Sequence, residues 1–453
     1  MTTAQTYDIA VIGGGFAGVT AARELRQAGH RVILLEARDR LGGRTWYEKD
    51  RIAGFDVEMG GGWLGDDEKY AMAEVNRYSI PLLRDEEAPS KFLWRCTAGI
   101  REGMLPVPFS QLGTLEAAIG RLQTAASRVS EQMFIDGTGL DTVADLDVPL
   151  PTLFEDLDLP AETAGVLEGF WAGISSAEWS QMSVLHAARL IAGSGGTFMG
   201  FMGTVMLGPR FANGTGELIA AIAQDAAVET RLNTVVTKIV STTDAVDVFV
   251  GQDQYTVQAV VCTVPVHALR HIEFEPPLSP RKHEGLEAGH SGKGFKLWMA
   301  VRNATGGVFS LGAPGPFNHL FTVDEREDVA LLVGFGPDDC PDPNNLDQIQ
   351  QMLREYLPEA QVVAADAHDW RADPYSESTW AVYPAGFTTE YEQALRATES
   401  RVVFAGSDVS EVRPGYIDGA IESGIRAARD ASQLTDPANL PEPQPAHAQA
   451  HAH

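Results

Sequence analysis

The first forty residues contain the pattern that most limits how this chain can fold. A β-prone apolar run over residues 7–12 leads directly into Gly13-Gly14-Gly15-Phe16-Ala17-Gly18. Apolar residues at helical spacing follow over residues 17–28, and a second apolar run, Val32–Leu35, ends at Glu36. The order of strand, glycine-rich turn, helix, strand and acid predicts a βαβ unit that binds a dinucleotide.

Each position of the G-x-G-x-x-G pattern has a physical task. The first glycine allows a tight turn, the second lets the backbone approach a pyrophosphate, and the third lets the helix pack closely on the strand. The helix start offers free N–H groups and a positive dipole end to phosphate, and the acid can accept hydrogen bonds from a ribose diol. The residues predicted to bind this part of the dinucleotide are Gly13, Gly15, Phe16, Ala17, Gly18 and Glu36.

Two further glycine-rich stretches favour a flavin dinucleotide over a nicotinamide one. Arg38-Asp39-Arg40-Leu41-Gly42-Gly43-Arg44 follows the acid, and Met59-Gly60-Gly61-Gly62-Trp63 comes later. In both stretches the glycines leave the backbone accessible to a second part of an extended dinucleotide. A nicotinamide dehydrogenase does not need this second glycine-rich patch. The predicted contacts are Ala37, Arg38, Gly43, Arg44, Gly60, Gly61, Gly62 and Trp63.

These elements together resemble the N-terminal signature of the flavin monoamine oxidase family, and the resemblance covers about residues 7–430. It implies an α/β fold with a Rossmann-like FAD-binding domain built from discontinuous segments, together with a mixed α+β substrate domain. The segments expected for the FAD-binding domain are residues 1–82, 212–290 and 395–434; those for the substrate domain are 83–211 and 291–394. We expect residues 435–453 to be a disordered tail, and His447, His451 and His453 within it not to form a metal site.

Apolar spacing predicts the main elements between these motifs. The predicted helices cover residues 114–133, 160–172, 183–192, 218–226 and 346–357. The predicted strands cover residues 235–240, 246–250, 255–262, 294–301 and 329–335. Because family members place a β-meander and a flavin-edge loop in the middle of the chain, the resemblance implies cofactor contacts at Val236 and Thr263.

Two motifs near the C-terminus resemble further flavin contacts of the family. Phe404-Ala405-Gly406-Ser407-Asp408 follows a β-prone run, and Gly415-Tyr416-Ile417-Asp418-Gly419-Ala420 opens an amphipathic helix. A helix N-terminus aimed at the flavin would stabilise negative charge on the reduced ring. The implied contacts are Gly406, Ser407, Asp408, Ile417 and Ala420.

The resemblance also implies three catalytic residues. Trp380 and Tyr416 are expected to form two roughly parallel rings that flank the amine, and Lys296 is expected to hold a water at flavin N5. Some members attach the flavin to a Cys just before the first aromatic residue; Thr379 stands there, so we expect FAD to be non-covalent. The candidates for the substrate pocket are Trp171, Phe201, Leu207, Phe317 and Phe321.

The predicted function is oxidation of a small primary or secondary amine, with a nicotine-type or other cyclic or N-methyl amine as one class. Hydride would pass from the carbon next to nitrogen to flavin N5, water would hydrolyse the imine, and O2 would reoxidise the flavin to give H2O2. Two alternatives stay open. One is an amine dehydrogenase or flavin desaturase that passes electrons to a carrier, and the other is a non-catalytic chaperone of the same fold.

Composition limits the other partners. Thirty-four Lys and Arg against 62 Asp and Glu give a net charge of −28, which repels phosphate backbones, so no nucleic-acid partner is expected. Cys96, Cys262 and Cys340 are widely spaced, which argues against a disulfide framework and a zinc–thiolate site, and we expect no metal. No apolar run approaches the ~18 residues of a membrane span. We therefore expect a cytoplasmic protein without a membrane partner, and leave a homodimer open.

Overall fold

The computed structural model describes residues 7–84, 88–337 and 339–436. Its centre is a five-stranded sheet in which every strand is parallel to its neighbours. We call this the parallel sheet; its strands in spatial order are Val402–Phe404, Ala259–Cys262, Ile9–Ile12, Val32–Leu35 and Glu229–Arg231. The first four are buried along their whole length, as expected for short apolar runs covered on both faces.

Three helices pack together beside the parallel sheet. Helix Phe16–Gln27 follows strand Ile9–Ile12 in the chain. It contacts helices Thr215–Ala226 and Ile417–Thr435. A Cβ added at Gly424 would lie 2.4 Å from the carbonyl oxygen of Ala17, so the two helix backbones touch at this point. The Rossmann-like α/β fold predicted from the sequence is confirmed.

A second, four-stranded sheet forms the meander. Its strands in spatial order are Asp253–Val257, Val246–Val250, Lys238–Ser241 and Glu273–Glu275. The prediction of one strand over residues 255–262 was wrong, because the chain changes sheets at Gln258. The Gln258 N–H donates to the carbonyl of Asp8 at 2.8 Å, and Ala259–Cys262 then enters the parallel sheet.

The third sheet has seven strands and combines distant parts of the chain. Its strands in spatial order are Gln361–Ala367, Phe295–Arg302, Val329–Gly336, His319–Arg326, Val308–Gly312, Lys91–Cys96 and Gly99–Glu102. The predicted strands 294–301 and 329–335 are both present. Residues 91–102 belong to one predicted insertion and residues 295–367 to the other; the predicted domain boundaries themselves stay predictions.

The remaining elements are mostly helical. The further α-helices are Lys69–Arg77, Leu112–Ala126, Glu131–Asp136, Ala161–Ser175, Val184–Gly193, Phe198–Leu207, Val266–Leu269, Pro280–Ala288, Leu346–Arg354 and Gln393–Arg396. Two short strand pairs, Tyr47–Ile52 with Phe55–Glu58 and Leu82–Leu83 with Arg210–Phe211, complete the fold. The predicted helix 114–133 is two helices, and helix 346–357 ends at Arg354.

Two expectations concern the surroundings of the fold. Within residues 7–84, 88–337 and 339–436, none of the helices is by itself long and apolar enough to cross a membrane; the pair Val184–Gly193 and Phe198–Leu207 passes together by length and composition but is bent by 77°. The predicted tail lies outside the described residues from position 437 onward, including His447, His451 and His453.

Gly18→Ala should destabilise the protein and weaken cofactor binding, because a Cβ at Gly18 would lie 1.8 Å from the carbonyl oxygen of Gly13. Overpacking of this kind costs about 1–3 kcal/mol. Gly120→Ala is the matched control: Gly120 also lies in a helix, Leu112–Ala126, but an added Cβ meets nothing within 4 Å. It should stabilise by about 0.5–1 kcal/mol. Urea denaturation of both variants measures the difference, and equal effects would contradict this packing.

Candidate active site

A cavity of about 1890 Å³ opens at the carboxyl edge of the parallel sheet. Four residues that directly follow parallel strands line it: Gly13, Glu36, Thr263 and Ala405. Open α/β sheets bind ligands at this edge. The volume exceeds the roughly 300–1,000 Å³ of an ordinary small-molecule pocket, so the cavity has room for a dinucleotide and a second small molecule.

Two glycine loops form a narrow cradle at one end of the cavity. A Cβ added at Gly43 would lie 3.3 Å from the Cα of Gly15, so the backbones of the two loops face each other closely. Helix Phe16–Gln27 begins here without a side-chain cap, which leaves its first N–H groups free for a ligand. Gly18 does not line the cavity, and its close approach to Gly13 is the packing expected of the third glycine.

Glu36 is held rigidly at the end of its strand. Its two carboxylate oxygens accept the N–H of Gly14 at 2.5 Å and of Arg38 at 2.8 Å. Arg38 in turn donates to Asp373 at 2.8 Å and to Ser376 at 2.7 Å. These contacts leave the remaining lone pairs of the Glu36 carboxylate on the cavity wall, where a ribose diol could donate to them.

The half-buried Arg44 and the buried Asp408 form an ion pair beside the cradle. Arg44 donates to the Asp408 carboxylate, to the Ser407 hydroxyl at 2.8 Å and to the carbonyl of Thr379 at 2.8 Å. Burial alone would raise the pKa of Asp408, but Arg44 and His290 hold it well below its usual range. Asp408 is therefore an anion, and Arg44 lines the cavity while it makes this pair, so its contact with the dinucleotide stays a prediction.

The aromatic pair departs from the predicted arrangement. The ring centroids of Trp380 and Tyr416 lie 4.7 Å apart with an angle of 82° between the planes, so the two rings form an edge-to-face corner. The expectation of parallel rings was wrong for this structure. Gly415 is one cause, since a Cβ there would lie 2.6 Å from the indole of Trp380; the other is that edge-to-face contact is a favourable geometry for aromatic rings.

Lys296 points inward from its strand. Its ammonium donates to the carbonyl of Glu58 at 2.6 Å and of Gly60 at 2.8 Å, and lies 4.5 Å from the ring centre of Trp63. Burial lowers the pKa of Lys296 to about 7. Because an ammonium has three N–H donors and two are used, one position remains for a water or ligand in the cavity.

A second titratable group was missed in the sequence. Glu68 lines the cavity and is buried, with one oxygen accepting the N–H of Gly65 at 2.9 Å. Burial raises the pKa of Glu68 to about 8, although Arg413 acts in the opposite direction. Glu68 directly precedes helix Lys69–Arg77 and ends an Asp-Asp-Glu run. Acidic residues are common at helix starts, so this run does not indicate a functional site in the sequence.

Most of the predicted contacts do lie in the cavity wall. Those that line it are Gly13, Gly15, Phe16, Ala17, Glu36, Ala37, Arg38, Gly43, Arg44, Gly60, Gly61, Gly62, Trp63, Val236, Thr263, Lys296, Trp380, Gly406, Ser407, Asp408, Tyr416, Ile417 and Ala420. Thr379, at the position of the linking Cys, also lines it.

The substrate-pocket candidates divide into two groups. Leu207 and Phe321 line the cavity. Trp171 and Phe201 do not; they stack on each other 5.6 Å apart in the helical core behind the wall. Phe317 does not line it either, because its ring packs on Phe295 and Tyr356 on the other side of the sheet. For these three residues the prediction is corrected: their aromatic bulk fills the core.

Other aromatic residues of the wall were missed. Phe92, Trp94, Phe309, His319 and Phe335 all line the cavity, and all lie in strands of the seven-stranded sheet. The β-prone residues of the run 319–323 could have indicated a strand. The pairing that brings residues 92–94 beside residue 309 joins segments more than 200 positions apart and has no local signal.

Comparison with known proteins decides which family this geometry belongs to. The family model described as flavin containing amine oxidoreductase matches residues 16–432. The chain belongs to this family. It is a flavin-dependent amine oxidoreductase, and FAD is its cofactor.

Relatives within the family act on several amines. The chain is 35% identical over 422 residues to (S)-6-hydroxynicotine oxidase of Paenarthrobacter nicotinovorans, covering 92% of this chain and 97% of that protein. It is 32% identical over 438 residues to nicotine dehydrogenase of Pseudomonas putida, covering 94% and 89%. Among solved structures, putrescine oxidase bound to putrescine shares the fold with a TM-score of 0.82 at 22% identity, covering 94% of this chain and 99% of that one.

The residues of the cavity fit FAD. The cradle of Gly15 and Gly43 and the uncapped start of helix Phe16–Gln27 suit the pyrophosphate, and Glu36 suits the adenosine ribose. The start of helix Ile417–Thr435 also lacks a side-chain cap and opens on the cavity. The Thr379 hydroxyl is buried there without a hydrogen-bond partner in the described part of the chain, as expected beside the polar edge of a ligand.

Lys296→Met should change how stability depends on pH. The Lys296 pKa is about 7 in the fold and about 10.4 in the unfolded chain. Between these two pH values the unfolded state binds more protons than the folded state. The free energy of unfolding of wild type therefore rises with pH by up to about 1.4 kcal/mol per pH unit, and the variant lacks this rise. Urea denaturation at pH 7, 8 and 9 with saturating FAD measures it. Lys293→Met, at an exposed position, is the control; parallel curves for all three proteins would contradict the buried site.

Proposed function

We propose that this protein is an oxidase of small primary or secondary amines that passes electrons to O2. The proposal is carried by one observation: a cavity that fits FAD continues into an aromatic compartment, with Lys296 and the Trp380–Tyr416 corner where the two parts meet. When bound, FAD accepts hydride from the carbon next to nitrogen and returns the electrons to an acceptor. Water then hydrolyses the released imine.

The protein residues have separate tasks in this reaction. The corner of Trp380 and Tyr416 presents an indole and a phenol ring to the amine and fixes the orientation of its C–N bond. Burial raises the pKa of Tyr416 above its ordinary value, so the phenol stays neutral. The reacting form of the amine is the neutral one, whose lone pair assists departure of the hydride.

A dehydrogenase that uses a carrier is the second candidate. It is favoured by the relative named nicotine dehydrogenase, at 32% identity. A non-catalytic chaperone is disfavoured because Glu36, Arg44, Lys296, Trp380 and Tyr416 are all retained in the cavity wall.

A panel of amines distinguishes these functions. Purified holoenzyme is assayed in parallel with an oxygen electrode, with a peroxidase-coupled assay for H2O2, and with an artificial electron carrier under nitrogen. An oxidase gives equal rates of O2 consumption and peroxide release. Turnover only with the carrier would establish the dehydrogenase, and a flavin that no amine reduces would refute the proposed function.

FAD should be released when the protein is denatured. Thr379 stands at the position of the linking Cys, and Cys96, Cys262 and Cys340 are all absent from the cavity wall. Acid precipitation followed by filtration should leave the yellow colour in the filtrate. Colour that stays with the precipitate would show a covalent bond and contradict the assignment of Thr379.

Lys296→Met should slow the oxygen reaction more than the reaction with amine. A positive charge near flavin N5 favours electron transfer to O2, and one preorganised donor is typically worth about 10²–10³ in rate. With a Lys296 pKa of about 7, the cation is present below pH 7 and lost above it. The oxygen step in wild type should therefore slow as pH rises from 6 to 8, and the variant should show no such change. Stopped-flow measurement of each half-reaction tests this.

Lys293→Met is the matched control for this measurement, since Lys293 lies three residues away and is exposed. Its two half-reactions should equal those of wild type. An unchanged oxygen step in Lys296→Met would show that Lys296 serves only to hold the Glu58 and Gly60 carbonyls, and would favour the dehydrogenase.

A further inference from the structure

Helix Phe198–Leu207 is exposed to solvent and also forms part of the cavity wall. Met199 is 60% exposed and Leu207 is 76% exposed, and both line the cavity. A helix that reaches both solvent and the cavity lies at the opening, so small molecules that enter or leave pass along it. Phe198 anchors this helix, because its buried ring lies 5.3 Å from the ring of Phe170 in the core.

Three methionines of this helix face the cavity. Met199, Met202 and Met206 follow each other at three- and four-residue spacing, which places them on one face of a helix. All three line the cavity, and Met202 and Met206 are half-buried. We call these three residues the methionine row. Three of the 11 methionines of the chain thus lie in one helix of ten residues, at positions where leucine would fill a similar volume.

The thioether sulfur gives this row a chemistry that leucine lacks. H2O2 oxidises methionine to its sulfoxide, and methionine sulfoxide reductases reverse the change. The sulfur attacks one oxygen of the peroxide, the O–O bond breaks, and the released hydroxide takes the remaining proton to form water. Sulfur loses two electrons and the peroxide gains them, so the step needs H2O2 and no other co-reactant.

The proposed oxidase reaction forms this peroxide inside the cavity. One H2O2 molecule in about 1890 Å³ corresponds to a local concentration on the order of 1 M, before it is diluted into solvent. Met104 does not meet this peroxide first, because it is 75% exposed but does not line the cavity. Met59 lines the cavity, but it is 2% exposed and belongs to a buried cluster with Phe55 and Trp298. The methionine row therefore combines access with proximity to the source.

We propose that the methionine row is a modification site, which H2O2 formed in the cavity converts to methionine sulfoxide on its way out. The inference rests on the proposed function, since the oxidase reaction supplies the peroxide. A sulfoxide is polar and needs hydrogen-bond partners that an aromatic wall does not offer. The modified helix therefore loses apolar contacts at the opening, and amine turnover falls as the amount of peroxide already formed increases.

Peptide mapping tests the site. Trypsin yields one peptide, residues 190–210, that contains the whole methionine row, and another, residues 102–121, whose one methionine is Met104. Holoenzyme oxidises an amine of the panel in air with excess catalase, which destroys peroxide that has left the protein. The row peptide should gain sulfoxide with the number of turnovers, while the Met104 peptide stays unmodified. When H2O2 is added to the solution without amine or catalase, the ratio of row oxidation to Met104 oxidation should be lower by about tenfold or more.

Variants and a change of acceptor separate the modification from turnover itself. The triple variant Met199→Leu/Met202→Leu/Met206→Leu should lose less activity per turnover, relative to its own initial rate, than wild type does. Met104→Leu is the control and should lose activity as wild type does. Methionine sulfoxide reductase should restore the wild-type rate. Turnover with the artificial carrier under nitrogen forms no peroxide and should leave the row unmodified.

Peroxide measured in parallel distinguishes failure of this inference from failure of the proposed function. Equal oxidation of the two peptides in the presence of catalase, or an unmodified row after turnover with measured peroxide release, would overturn the modification site and leave the proposed function intact. Equal loss of activity in wild type and the triple variant would overturn the effect on turnover. Absence of peroxide with every amine would refute the proposed function, and the modification site with it.

Discussion

The ion pair between Arg44 and Asp408 is the contact on which the arrangement of the site depends. Asp408 accepts from Arg44 and from the N–H of Val266 at 3.0 Å, and Arg44 also donates to the carbonyl of Thr379. Four distant chain segments therefore meet at the half-buried Arg44 and the buried Asp408. Removing one partner would leave an unpaired buried charge, which typically costs about 3–5 kcal/mol. The same contact fixes Thr379, and with it Trp380, against the end of the parallel sheet.

Lys296 makes a corresponding connection between the seven-stranded sheet and the N-terminal segment of the chain. It lies in a strand of the seven-stranded sheet, and its ammonium donates to the carbonyls of Glu58 and Gly60 in the N-terminal segment. The glycine turn that follows Glu58 is thereby held at the boundary between the cofactor part of the cavity and the aromatic part. The part of the cavity where phosphate is expected is polar and offers backbone N–H groups. The part where an amine is expected is lined by aromatic side chains.

The sequence predicted the features that are encoded locally. The glycine pattern and the acid lie within about thirty residues, and only a βαβ unit explains them together. The resemblance then placed Lys296, Trp380 and Tyr416, and all three line the cavity. The relative orientation of Trp380 and Tyr416 was not predictable, because it depends on the packing of Trp380 against Gly415, a contact between separate segments.

The substrate end of the cavity was poorly predicted for a related reason. Trp171, Phe201 and Phe317 are large apolar residues, and residue type alone does not distinguish a cavity wall from the core behind it. What decides is strand register, which gives Phe335 and His319 the same face as Lys296. Register between strands distant in sequence is set by tertiary packing, so His319 became visible only in the folded chain.

The central claim is that one cavity holds FAD and an amine in contact, and anaerobic reduction tests it most directly. Purified holoenzyme is mixed with 2-(pyridin-3-yl)pyrrolidine under nitrogen, and the visible absorption of the flavin is followed. The account predicts that the absorption is lost in a single turnover and returns when air is admitted. Full absorption after prolonged incubation with this amine and with the other primary and secondary amines of the panel would contradict it.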